Sequence, residues 1–394
     1  KRMFLKIINI LILLLLVTHT CFTNTSRSIN IQNHIRVGYD DNLNNSVNGS
    51  QEIDTLYVSD IFKITAKFVP TSSSTFLFFY QPEFTYRLDA DDEHQYLQDM
   101  YVNYIRAVSP ISQLQITDRF RISEPDLNQI DGRSFTENNL NISYQKNVRP
   151  NIGINLLAGY TTRENEDNQN TWFQTRDFER LRLSYLISKM LDKKDKAISG
   201  GINYNNHEIK HDGGSIASST IFGGYDYPVN KKLMTSTQFG YTFAEIEGGS
   251  SSSEVRDSSS PFFELGLNYK LSKYTDINTS YSYSLRYTTL SFYNAELRSD
   301  WLFAIRHRFT PKINTAISYS WVNATYESDF LRNYDPSVAE LDDMNTIINI
   351  RTQYMLNTNH SLECGVQLRE RKGWDSVNQD YTRNKFYFGW KLTI

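Results

Sequence analysis

From about residue 30 to the last residue, apolar and polar side chains alternate in short runs separated by connectors of two kinds. The clearest run is Asp276-Ile277-Asn278-Thr279-Ser280-Tyr281-Ser282-Tyr283-Ser284-Leu285-Arg286-Tyr287. Ile277, Tyr281, Tyr283, Leu285 and Tyr287 share one face, and Asp276, Asn278, Ser280, Ser282, Ser284 and Arg286 the other. A period of two over this length predicts a strand with one apolar face. Roughly 9–11 tilted residues cross a bilayer as a strand, so this run is long enough to do so.

The connectors alternate. Tight ones fall at residues 70–74, 108–112, 147–151, 191–196, 228–232, 272–275, 310–312 and 357–359; long ones, such as 40–54, are acidic and rich in Asn, Ser and Gly. An all-β, up-and-down antiparallel transmembrane barrel needs this rhythm, with short periplasmic turns on one rim and long extracellular loops on the other. One hairpin fits between consecutive tight turns, which predicts about eighteen strands (16–18) with both ends on the periplasmic rim. The first strand, near 34–39, must pair with the last, near 383–394, because lipid tolerates no open edge. A soluble two-sheet sandwich and a secreted solenoid are the competing architectures. Against them, the apolar faces carry aromatics near strand ends, as interfacial girdles require: Phe76, Phe78 and Tyr80 in one strand, Trp301 and Phe309 flanking another.

Composition supports one domain in that setting. A soluble chain of 394 residues would usually divide into two or three domains, yet no linker or change of pattern follows the first thirty residues. Aromatic content is 14%, with 26 Tyr, while mean hydropathy is −0.51. That is too polar for a helical membrane protein and suits a barrel with half of each strand facing water. Lys1, Arg2 and Lys6 precede an apolar run at 7–17, too short to span a bilayer, and small or polar residues follow. Residues 1–26 therefore read as a secretory signal and 27–394 as the barrel. A membrane anchor and lipidation at Cys21 compete with this, although Thr20 stands where Gly, Ala or Ser normally precedes a lipid-modified cysteine. Cleavage would leave only Cys364 and no intrachain disulfide.

Net charge is −3, but its distribution is informative. Taking the more apolar set of each strand as lipid-facing leaves a basic inward set. Lys63 and Lys67 alternate with Phe62, Ile64, Ala66 and Phe68. Arg119 and Arg121, Arg180 and Arg182, and Arg306 and Arg308 alternate with apolar neighbours in the same way, as do Lys385 and Lys391. Arg36, Arg87, Lys270, Arg286, Arg351, Arg369 and Arg371 complete the set, against the fewer acids Glu83, Asp226, Glu264, Asp276 and Glu363. A lipid-facing Arg or Lys at the midplane costs roughly 2–4 kcal/mol, which explains inward charge but not its sign. A water-filled lumen lined with cations attracts anions, and the Arg fork suits carboxylate or phosphate. The alternative is a ladder of ion pairs that stiffens the wall, with Glu83 and Glu363 serving nearby Arg. About eighteen strands enclose enough space for an aqueous channel. The stretches 124–139, 163–177, 245–259 and 327–343 are long enough to fold inward and narrow it.

Two stretches resemble known families. Tyr387-x-Gly389-x-x-Leu392-x-Ile394 looks like the C-terminal signal by which the outer-membrane assembly machinery recognises client barrels, although a terminal Phe is commoner than Ile. Val37-Gly38-Tyr39-Asp40-Asp41-Asn42, followed by Val58-Ser59-Asp60-Ile61, resembles the opening of the β-barrel porin type 2 family, in which a strand ending in Tyr-Asp-Asp-Asn leads through a loop to a Ser-Asp. Phe68-Val69-Pro70 and Phe79-Tyr80-Gln81-Pro82-Glu83 fit the same opening. The resemblance implies an outer-membrane barrel, often associated with exopolysaccharide production or export.

Catalytic signatures are missing from the sequence. The seven His are scattered, with no HExxH, no paired Cys/His ligands and no Gly-x-Ser-x-Gly. His207 and His211, and His360-Ser361, read as loop and turn residues. The expectation is a non-enzymatic barrel in the outer membrane of a Gram-negative-type bacterium, with no cofactor, metal or nucleic acid. A plugged siderophore-type transporter is not expected, because no plug-sized stretch precedes the first strand. Expected partners are outer-membrane lipid and lipopolysaccharide, the barrel assembly machinery, and small anions or an anionic polysaccharide. The expected function is a channel for hydrophilic, preferentially anionic solutes. An exporter of an anionic exopolysaccharide and a structural or adhesive barrel closed by its loops are the alternatives. If the terminal motif is an assembly signal, deleting residues 392–394 lowers the amount of barrel recovered from outer membranes; normal recovery would remove that reading.

Overall fold

The computed structural model describes residues 26–42, 54–88, 95–123, 135–165, 177–191, 196–210, 214–247, 255–287, 295–327, 340–373 and 380–394. The expected signal segment and the stretches expected to narrow the channel lie largely outside these residues, save 245–259, of which 248–254 lie outside. The described residues form β1 (Ser26–Asp40), β2 (Thr55–Thr71), β3 (Ser74–Arg87), β4 (Gln95–Ser109), β5 (Ser112–Ser123), β6 (Phe135–Arg149), β7 (Ile152–Asn165), β8 (Phe178–Met190), β9 (Ala197–Ile209), β10 (Ser215–Pro228), β11 (Leu233–Glu247), β12 (Val255–Ser272), β13 (Thr275–Tyr287), β14 (Ala295–Arg308), β15 (Ile313–Glu327), β16 (Glu340–Met355), β17 (His360–Gly373) and β18 (Tyr381–Thr393). Each pairs antiparallel with the next, and β18 pairs with β1, so the 18-stranded sheet closes on itself. The strand count and the sites of all eight tight turns are as the alternation predicts. The first strand is longer than expected: β1 begins at Ser26 rather than near residue 34, and its first residues run along β2 before β18 joins.

Through the body of the strands register carries the side-chain alternation round the ring without a slip of face; among the described residues it shifts beside four short turns, at Phe68/Thr71, Ala107/Ser109, Asn147/Arg149 and Lys270/Ser272. Arg36 stands opposite Ser59 on β2 and Gly389 on β18, and the neighbour-by-neighbour pairing returns to Arg36 on the same face. A closed sheet crowds side chains on its concave face. There the structure buries Phe135, Phe178, Ile216, Ile246 and Tyr326 together with Asp343, Glu363 and Arg371. The convex face exposes Ile35, Val37, Phe84, Leu183, Ile221, Phe239 and Phe388. Such an apolar mantle is stable only against lipid, and within lipid only helices or closed barrels satisfy the backbone. The protein is an integral outer-membrane β-barrel. Aromatic pairs sit on the mantle, with Phe84 stacked on Tyr96 (ring centroids 4.4 Å) and Trp301 edge-on to Tyr319 (5.7 Å). The mantle is not wholly apolar: Asn33 donates to Asp60 across it at 2.7 Å.

The seam between β1 and β18 is tied at both ends. At the outer end, Arg383 donates to both oxygens of Asp40 at 2.8 and 2.5 Å. The backbone N–H and side-chain amide of Asn384 donate to Asp41 at 2.6 and 2.7 Å, and Asn42 donates to the carbonyl of Thr382 at 2.9 Å. The Asp-Asp-Asn that carried the family resemblance thus fastens the first strand to the last. At the inner end, Ile31 and Ile394 exchange backbone hydrogen bonds of 2.9 and 2.8 Å. Between them, Tyr387 lies over Gly365, its register partner, where any Cβ would strike the ring. A Cβ on Gly389 would meet His34 Nε2 and the Ile35 carbonyl. Leu392 faces outward.

Arg383→Met would take from Asp40, whose side chain is 2% exposed, the guanidinium that holds both its oxygens, while Lys385 stays at 3.5 Å. Removing one partner of a buried pair costs about 3–5 kcal/mol. The variant is therefore expected to lose its compact electrophoretic form at a clearly lower temperature than the parent, and an unchanged transition would mean that the clasp contributes little.

Candidate lumen site

Each basic residue singled out from the sequence falls on the concave face, but in three different settings. In the first, at the outer end, cations are buried against acids. Arg371 donates to Asp343 at 2.8 and 3.0 Å. Arg121 and Arg163 share Glu137 at 2.5 and 2.6 Å. Arg286 and Arg298 share Asp300 at 2.8 and 2.5 Å, and Lys385 joins Arg383 at Asp40. Arg369 stacks on Tyr381 (5.3 Å) and donates to Asn345 at 3.4 Å; Arg87 donates to Gln95 at 3.5 Å. Arg180 lies in this zone too, facing His207 across the β8–β9 rungs. Further toward the middle, Arg119 holds Asp99 with a two-pronged contact of 2.8 and 2.7 Å, and Arg182 donates to Asn141 at 3.2 Å.

The second setting is a single buried carboxylate. Glu363 is 2% exposed and receives Arg36 at 3.4 Å, Arg351 at 3.2 Å and the Tyr387 hydroxyl at 3.0 Å, with His34 at 3.8 Å. Lys391 feels this carboxylate and the charges of Arg351, Lys63 and Arg36. The Arg36 guanidinium also rests on the Tyr387 ring at 4.7 Å. Next to this cluster is a recess of about 370 Å³, lined by Arg36, Arg87, Arg351 and Lys385 with Asp40, Glu83 and the polar tips of Tyr57, Gln95, Asn349 and Gln367.

The third setting is the inner part of the lumen. Among the described residues, Lys63, Lys67, Lys270, Arg306, Arg308 and Lys391 make no ion pair; Lys63 lies over the Phe79 ring at 4.9 Å. These residues lie on β2, β12, β14 and β18. The facing wall, β4 to β9, is lined by neutral amides and hydroxyls that bond one another: Gln115 to Asn103 (3.1 Å), Ser143 to Asn155 (3.0 Å) and Ser184 to Asn203 (2.6 Å).

Sequence reasoning missed Arg163, Arg298 and Arg383, and with them the inward acids Asp40, Asp99, Glu137, Glu296, Asp300 and Asp343. The inward excess of bases is consequently smaller than the sequence suggested. For four of them the cause is strand length. Asp40, Glu137, Arg163 and Asp343 were assigned to loops, yet the strands run on past the bilayer and keep their period of two. Extending the alternation beyond the membrane-crossing length would have found them.

Among the described residues no group of three metal-ligating side chains converges. His207 packs against the Phe178 ring at 4.3 Å, and His360 stacks on Trp390 at 5.5 Å; His211 lies outside the described residues.

No family model and no curated protein matches the chain. Solved structures do. OccK2 (OpdF) of Pseudomonas aeruginosa, solved in complex with glucuronate, aligns over 94% of this chain and 98% of its own at 12% identity and a TM-score of 0.50. The outer membrane protein OpdK of the same organism aligns over 93% and 99% at 10% identity and 0.48, and the FrpB iron transporter of Neisseria meningitidis over 93% and 81% at 8% identity and 0.49. At these identities the likeness is one of fold, and the resemblance to type 2 porins extends no further than the barrel itself.

Proposed function

We propose that the protein is an outer-membrane channel for hydrophilic, preferentially anionic solutes. The observation that carries this reading is the set of lumen cations that, among the described residues, form no ion pair, Lys63, Lys67, Lys270, Arg306, Arg308 and Lys391, together with two arginines that share the single Glu363. Asp226, Glu264 and Asp276 share this face, so its sign is set by the excess of bases over acids, and such an excess on a low-dielectric wall raises the local concentration of anions in the aqueous space.

A second reading, a structural or adhesive barrel with a closed outer end, is favoured by one feature. Phe135, Phe178, Ile216, Ile246, Tyr326 and Tyr381 are all buried on the concave face at the outer strand ends.

Reconstitution in a planar bilayer under a KCl gradient separates the two. The channel reading expects a conductance with a reversal potential on the chloride side. A potential on the potassium side would overturn the anion preference, and no conductance would support the closed barrel. Replacing Arg306, Arg308 and Arg351 together with Gln is expected to move the reversal potential toward zero. Glu363→Gln is expected to move it the other way, since it removes the negative charge that offsets Arg36 and Arg351. If neither variant shifts the potential, these residues do not set selectivity.

A further inference from the structure

We infer that the lumen recess lined by Arg36, Arg87, Arg351 and Lys385 is a binding site for a sugar acid, a hydroxylated carboxylate of monosaccharide size. The proposal rests on the anion-channel reading and gives it a class of ligand and a place on the wall. The first observation is how the recess is made. Across the strands from β16 to β3, inward residues in register run Arg351, Gly365, Tyr387, Gly38, Tyr57 and Arg87. A Cβ at Gly365 would strike the Tyr387 ring, and one at Gly38 the Tyr57 ring. Both tyrosines therefore lie along the wall over glycines instead of standing into the lumen. The hollow this leaves is about 370 Å³, within the roughly 300–1,000 Å³ usual for small-molecule sites. Its floor is aromatic, and a guanidinium stands at either end.

The second observation is the chemistry of the sides. Next to this row, toward the long-connector rim, come Asn349, Gln367, Lys385 and Asp40; toward the short-turn rim come Arg36, Ser59, Thr85 and Gln95. Ser59 is 1% exposed, lines the recess, and its Oγ has no hydrogen-bond partner among the described residues. A buried hydroxyl without a partner is uncommon in a folded protein, and a ligand hydroxyl in the recess would complete it. Arg351 meets Glu363 through Nε at 3.2 Å. That leaves the two terminal nitrogens of its fork for a carboxylate. Arg36, Arg87, Arg351 and Lys385 line the space against Asp40 and Glu83, and the ion-pair partners Glu363 and Arg383 bring the balance to five cations and three acids. That excess suits a single carboxylate. The amide and hydroxyl side chains suit a ring of hydroxyls, and Tyr57 offers an apolar face to the C–H bonds of that ring.

The test is calorimetric titration of the folded full-length barrel in detergent, which reads binding without conductance. The probes are galacturonate, glucose, propionate, benzoate and glucose 6-phosphate. The expected result is saturable binding of galacturonate at least about tenfold tighter than glucose, propionate or benzoate, the loss that removing one charge-assisted contact or a set of hydroxyl contacts brings. Propionate or benzoate binding as tightly overturns the sugar part of the assignment, and glucose binding as tightly overturns the acid part. Glucose 6-phosphate binding about tenfold tighter than galacturonate overturns the carboxylate in favour of a phosphate. Arg351→Gln is expected to weaken galacturonate about tenfold and Ser59→Ala about threefold, each variant first checked for its compact electrophoretic form. Parent-like binding by both variants places the ligand elsewhere and overturns the site; if one variant does not fold, the other and the parent titrations decide. No binding of galacturonate to the parent also overturns the site, while a chloride-side reversal potential would leave the anion channel standing. A potassium-side potential overturns the channel reading itself.

Discussion

Inside a bilayer the peptide backbone has no water to bond, and this one constraint governs the rest of the molecule. Every strand must find two neighbours, so the sheet has to close, and the first and last strands must recognise each other. The seam shows how that recognition is built. Backbone rungs run from Gln32–Thr393 to Asp40–Lys385, and a carboxylate-guanidinium clasp at Asp40 and Arg383 reinforces the outer end. Tyr387 and Gly389 read in sequence as parts of an assembly signal. In the folded barrel they also shape the seam, one covering Gly365 and the other leaving room for His34.

Closure also fixes which way side chains point. With the register locked around eighteen strands, each residue's parity decides between lipid and lumen. For this reason the fold and the inward placement of the basic set were legible in the sequence. Alternation, turn spacing and chain length all report the same backbone geometry. The run at Ile277 to Tyr287 was enough to define one strand, and the tight turns supplied the count.

What the sequence concealed was pairing. Closure set the first strand beside the last and Glu363 among nearby arginines as one alternative, but did not say that Arg36, two strands away, and Arg351 would be the two that meet it. Nor did it reveal how far the strands continue above the bilayer, where Asp343, Glu137 and Asp40 wait for their arginines. Lipid selects only for the residues that touch it. The outer strand ends obey a different rule, the burial of charge in matched pairs, which leaves no periodic mark distinct from an acidic loop.

The seam has a further consequence for how the molecule can form. Asp40 and Arg383 are 343 positions apart, and closing a loop of that length in a free chain costs about 5 kcal/mol of entropy by the logarithmic rule. The up-and-down order avoids most of it. Each new hairpin adds to the edge of the one before, so by the time β18 arrives the two edges to be joined are separated by the curvature of a sheet, not by a random coil. The last step is then an elastic one, the bending of a nearly complete ring. It follows that no shorter intermediate is a small version of the finished protein. Until the final strand docks, every partial sheet carries two raw edges that a bilayer leaves unpaired.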